Sequence, residues 1–103
     1  MESVYINADN DLVVTGLSVA ATAAYLNSAT VTAQLKDSAL ANITGGDVTL
    51  AYVAASNGNY LGALPSTIVI TDGQRLWCDL TIVSGSYNDF RRVPCVARYR
   101  GAD

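Results

Sequence analysis

The sequence predicts one all-β domain over residues 1–103, an antiparallel sandwich of about seven strands. Three observations lead there: apolar and polar residues alternate in short runs, Gly, Asn, Asp and Ser gather between the runs, and the runs recur roughly every ten residues. A chain of 103 residues holds one hydrophobic core of ordinary size and has no room for two.

The clearest run is 30–37, where Val31, Ala33 and Leu35 share one face and Thr32, Gln34 and Lys36 the other. Residues 12–17, 48–54, 67–71, 75–84 and 91–100 read the same way, with a short extended piece at 60–64 and another around 4–7. Turn chemistry falls at 42–47 with Gly45-Gly46, at 56–59 with Asn57-Gly58, at Asp72-Gly73, and at 84–89 with Gly85. Asp72-Gly73 stands between two apolar runs and predicts a tight hairpin. Residues 18–26 are alanine-rich and suit either a helical turn or a crossing between sheets, since so short a segment rarely holds a helix unaided.

Parity decides which faces of the last two runs look inward. Leu76, Cys78, Leu80 and Ile82 share one face, and Arg75, Trp77, Asp79 and Thr81 the other; burying an unpaired Asp79 is costly, so the first face is the interior. In 91–100, Val93, Cys95, Ala97 and Tyr99 point inward, leaving Arg92, Pro94, Val96, Arg98 and Arg100 outside. Both cysteines therefore belong to the core, where a reducing compartment keeps them as thiols. Trp77 lies outside near Val96 and Arg98, and with Arg100 these residues form a candidate contact surface for another subunit. The competing arrangement covers Trp77 with the chain's own N-terminal segment or stacks Arg98 on it. Arg91 and Arg92 suit a solvated strand face with local pairs to Asp79 or Asp89, whereas Arg98 and Arg100 suit carboxylates on a neighbouring chain.

Only 15% of the chain is charged, against roughly 25% in an average domain. No charged side chain occurs between Asp11 and Lys36 or between Asp47 and Asp72, yet both stretches are too rich in Thr, Ser, Asn and Gly for a membrane helix, and a soluble protein with no membrane partner is expected. A surface with a single lysine is either partly covered by other subunits or a Thr/Ser/Asn surface in water. The net charge of −3 argues against nucleic acid as a partner. No basic stretch precedes an apolar one at the N-terminus, so folding in a cytoplasm is expected.

Histidine is absent, which removes the commonest general base and the commonest zinc ligand together. Cys78 and Cys95 alternate with Leu, Ile and Val, a pattern of core packing rather than of nucleophiles. Asn7, Asp9, Asn10 and Asp11 are rich in oxygen ligands but lack the glycine and distant glutamate of a calcium loop, so a turn or edge cap is expected there. No catalytic, cofactor or metal site is expected, and the chain reads as a non-enzyme.

The run Ser56-Asn57-Gly58-Asn59-Tyr60-Leu61-Gly62-Ala63-Leu64-Pro65, followed by Ile70-Thr71-Asp72-Gly73-Gln74-Arg75-Leu76-Trp77, resembles a G-x-Y-x-G-x-L-P and D-G hairpin pattern. That pattern belongs to the small immunoglobulin-like β-sandwich structural proteins of tailed bacteriophages. Tyr25-Leu26-Asn27-Ser28-Ala29-Thr30-Val31-Thr32 is similar to the segment opening the second strand in such proteins, and together these runs cover most of residues 12–100. In such a fold Gly58 supplies positive φ in a turn, and Tyr60 packs inward with its hydroxyl free to bond backbone. The antibody-type Cys-Trp-Cys spacing is not present, because Trp77 immediately precedes Cys78. The resemblance implies an antiparallel immunoglobulin-like sandwich in a virion, a head decoration or head-to-tail accessory protein. It would be present in many copies or as a homo-oligomer and dock on capsid or tail subunits. The alternative is an immunoglobulin-like adhesion or ligand-binding module that recognises carbohydrate or a host surface through its loops.

Overall fold

A computed structural model of the chain describes residues 2–15, 26–85 and 87–99. The described residues contain seven strands, β1 (Glu2–Tyr5), β2 (Asn10–Val14), β3 (Thr30–Asp37), β4 (Asn42–Tyr52), β5 (Tyr60–Leu64), β6 (Arg75–Ser84) and β7 (Tyr87–Arg98), and no helix. The all-β class is as the sequence predicts. The arrangement differs from two packed antiparallel sheets: the strands form one mixed sheet in the order β1-β7-β6-β3-β4-β5-β2, nearly closed into a barrel. Five of the neighbouring pairs are antiparallel, and β1 lies parallel to β7. A parallel pair needs a long connection, and here nearly the whole chain intervenes.

β3, β5 and β6 have the bounds their alternation predicts, because each buries one face and exposes the other. β4 runs further than its apolar stretch. The Gly45-Gly46 pair, expected to form a turn, lies inside it as a bulge: β3 advances from Gln34 to Lys36 while β4 recedes from Asp47 to Asn42. Gly45 adopts φ +77, and a Cβ on Gly46 would fall 2.9 Å from Leu35 Cβ, so a glycine is required where β4 crosses the core strand. The reversal falls instead at residues 38–41. There Asp37 Oδ1 accepts the amides of Ala39 and Ala41, each at 2.9 Å, and Leu40 takes the positive φ a glycine would otherwise supply.

Two further corrections concern turns. Asp72-Gly73 does turn, with Gln74 N donating to Thr71 O, but the residues before it form no strand. Ile68 and Ile70 are buried and Val69 is 85% exposed, so the alternation is real without a ladder partner. The hairpin lies between β6 and β7, whose pairing continues to Ser84 opposite Tyr87. Gly85 there has φ +59, as the first position of a primed two-residue turn requires. Tyr87, inside the turn expected at 84–89, and Phe90, just after it, are consequently strand residues. Residues 18–25 of the alanine-rich segment lie outside the described residues.

The core joins Val31, Ala33 and Leu35 of β3 to Leu50, Tyr60, Leu64, Leu76, Ile82 and Ala97 from the other strands. Tyr60 packs inward as expected, and its hydroxyl donates to Leu26 O at 2.6 Å and accepts from Ala29 N at 3.0 Å. The turn before it uses Gly58 at φ +85. Asn10 fixes the β1–β2 connection: its Oδ1 accepts Tyr5 N at 2.8 Å and its Nδ2 donates to Tyr5 O at 3.0 Å. Asp9 Oδ1 accepts Ser66 N at 2.9 Å, so these oxygen-rich side chains serve backbone turns and edges.

Candidate functional site

The outer face of the sheet is built by register. Directly opposed residues share a face. Trp77 of β6 therefore stands between Lys36 of β3 and Pro94 of β7, Asp79 between Gln34 and Arg92, Thr81 between Thr32 and Phe90, and Arg75 beside Val96. Pro94 sits one residue before the stretch of β7 that β1 covers, a position where a missing backbone donor costs that ladder nothing. The interior assignment of Leu76, Cys78, Leu80 and Ile82 agrees with burial, and Trp77 lies on the opposite face, half-buried.

The candidate contact residues are only partly brought together. Val96 is a diagonal neighbour of Trp77, whereas Arg98 lies four residues along β7 from Pro94, about 13 Å between backbone positions at strand rise. Arg98 is exposed, and Arg100 lies outside the described residues. β1 extends the sheet edge beyond β7, so this N-terminal strand does not lie over Trp77. Tyr99, expected inward, is 50% exposed because β7 ends at Arg98.

Asp79 corrects a second expectation. It sits on the outer face as parity requires, but its side chain is only 5% exposed, because it is paired rather than solvated. Arg92 grips it with two bonds, Nε to Oδ1 at 2.8 Å and Nη2 to Oδ2 at 2.9 Å, and Lys36 Nζ approaches Oδ2 at 3.5 Å. The Arg92 hydrogen bonds hold the Asp79 carboxyl below the usual aspartate range against the opposing effect of burial, and the charges of Arg92 and Lys36 add to this. The Arg92 guanidinium also lies 5.4 Å from the Phe90 ring centroid, and Phe90 is itself exposed. Arg91 pairs with Asp89 at 3.2 Å in an exposed contact. The sequence names Asp79 and Asp89 as local partners for these arginines without assigning which takes which, and does not show Lys36 and Phe90 as members of the cluster. The outward parity of Lys36 was legible; that β3 lies beside β6 was not.

Beside this cluster is a shallow depression of about 300 Å³, lined by Thr32, Gln34, Asn42, Asp47, Asp79 and Phe90 among others. On the inner face Cys78 and Cys95 are buried, and no disulfide joins them. Burial foremost, then Cys95 and Asp79, pushes the Cys78 thiol up to about 11, which makes it a poor nucleophile.

The face formed by β4, β3, β6 and β7 is thus a sheet surface that carries two partly or fully exposed aromatic rings, a neutralised ion-pair cluster and hydroxyl and amide groups. No family model, curated protein or solved structure matches the chain.

Proposed function

We propose that this chain is a non-enzymatic structural component of a bacteriophage particle, a head decoration or head-to-tail accessory protein. It docks on neighbouring capsid or tail subunits through the outer face of β6 and β7. The observation that carries the docking is the half-buried Trp77 flanked by Pro94, Val96 and Arg75 on a rigid antiparallel ladder. An aromatic anchor beside aliphatic and arginine side chains is the composition of interface hot spots. The acid nearest to it is already ion-paired, so covering the face does not strand a lone carboxylate.

The virion assignment rests on the sequence runs around Gly58, Tyr60 and Asp72-Gly73, and strand order supports the immunoglobulin-like relationship they imply. With β2, β3, β5, β6 and β7 taken as strands B, C, E, F and G, the order G-F-C appears on one side and the B-E pair on the other. β4 then stands beside C as C′, and its last residues pass to β5. A second reading, a saccharide-binding module, is favoured by the depression beside Phe90, where a ring platform meets hydroxyl, amide and carboxylate groups.

The test is Trp77→Ser in the full chain, followed by light scattering with and without candidate virion subunits and by urea unfolding. Docking through this face predicts lost association by a chain that still unfolds cooperatively, with a stability loss of about 1 to 2 kcal/mol for the half-buried indole. A wild-type chain that stays monomeric and ignores every virion protein, or a variant that simply unfolds, overturns the proposal.

A further inference from the structure

β1 and β2 are the two ends of the strand order, and the sheet curls until they approach each other without pairing. Between them runs a groove of about 730 Å³. Its floor is the closed core, where Leu35, Leu50 and Leu64 are at most 3% exposed, and the half-buried Leu12 and Val93 of its walls offer the apolar surface. The backbone flanking it is directional. Tyr5 turns both its N–H and its C=O away from β7, since both bond the Asn10 side chain, while Ile6 N bonds Arg98 O of β7. Alternation along β1 therefore aims the N–H and C=O of Ser3 into the seam as well, and alternate residues of β2 do the same from the other side, because among the described residues β2 pairs with β5 alone. Asn10 thus satisfies with a side chain, at one end of the seam, the bonds that a strand would satisfy along its length.

We infer that this seam takes an extended segment of another polypeptide, with apolar residues at alternate positions and a flanking lysine or arginine. The two strand edges call for a peptide backbone rather than a compact small molecule, because an added strand meets their N–H and C=O groups while every second side chain enters the apolar groove. Charge selects the flanks: Asp9 and Asp11 line the groove, and no lysine or arginine does so among the described residues. A second copy of this chain is a poorer donor, since its described alternating segments are held in its own sheet or, at Ile68–Ile70, fixed in its own core. The inference concerns a surface distinct from Trp77 and stands whether or not the chain belongs to a virion.

The experiment adds the peptide Lys-Val-Thr-Val-Thr-Val-Lys to the isotope-labelled full chain and reads amide and methyl signals. Strand addition moves the methyls of Leu12 and Val93 and slows exchange of the Ser3 amide about tenfold at a peptide concentration ten times its Kd. Proline in place of the central valine, which removes a ladder donor, abolishes binding. Asp11→Lys, at an exposed position, weakens binding of the lysine peptide and leaves unfolding unchanged. The inference is overturned if the parent peptide leaves Leu12, Val93 and Ser3 unmoved, which includes a groove already filled by the chain's own residues. It is equally overturned if the proline peptide binds as well as the parent, or if the shifts map to Trp77 and Phe90. Failure here leaves the Trp77→Ser association result intact, so the two proposals fall separately.

Discussion

Tyr60→Phe isolates one hydroxyl at the centre of the fold. The ring is 1% exposed and its centroid lies 5.5 Å from that of Tyr52 at an interplanar angle of 57°, and phenylalanine retains both the burial and the ring contact. What is lost is the pair of bonds that tie residues 26–29 to β5, one donated to Leu26 O and one accepted from Ala29 N. Each is worth about 1 kcal/mol net. Leu26 and Ala29 are only half-buried, so water partly replaces the lost partner and the full desolvation penalty is not incurred. The sum is about 2 kcal/mol, or roughly 10 °C in Tm for a domain of this size. Urea unfolding gives the free energy, and amide exchange gives its location: Ala29 loses protection while residues of the β6–β7 ladder keep theirs except through the global change. A stability within about 0.5 kcal/mol of wild type, the range of an ordinary surface change, with Ala29 protection unaltered, refutes the assignment of those bonds as structural.

Two titrations bound the pH range of stability. Asp79 has a lower pKa folded than unfolded, so its contribution is present above the ordinary value of 3.8 and is lost as pH falls through the folded value; Asp79→Asn flattens the acid limb of a urea-midpoint profile. Cys78 is shifted the other way, so its contribution is present below the ordinary value of 9.0 and drains as pH rises toward about 11; Cys78→Ala removes that alkaline limb. The same shift leaves about one Cys78 thiol in a thousand ionised at pH 8, and iodoacetamide labels the native chain slowly and the urea-unfolded chain readily.

What the sequence disclosed follows burial. In β3 and β6 one face meets the core and the other does not, so an alternation of apolar and polar residues is demanded and can be read back. The failures lie where that demand is missing. The start of β4 is a bulge, whose glycines look like a turn in one dimension, and the actual reversal at 38–41 uses Asp37, which also closes the preceding apolar run, and a left-handed Leu40, which announces no turn. Ile68 and Ile70 show the converse: burial on alternate positions needs an extended backbone and not a ladder, so residues 67–71 imitate a strand. β1 beside β7 is a contact between opposite ends of the chain, and no local pattern encodes it.

The charged cluster obeys the same logic one level up. Excluding Asp79 from the interior because an unpaired buried carboxylate is too costly gave the right face, but exposure to water was only one way to avoid that cost. The register supplies the other, since Gln34, Asp79 and Arg92 form one row and Lys36 stands in the next. Those four residues come from three separate runs, so the cluster exists only once β3, β6 and β7 are neighbours. A carboxylate held by two cations can be covered by a partner without first losing its counter-charges, whereas Trp77 beside it still has apolar surface to bury. On the docking proposed above, specificity would come from the preset charge row and affinity from the indole, and the two are separable: Arg92→Lys keeps the charge and loses the fork, weakening the geometry of the row without removing the anchor.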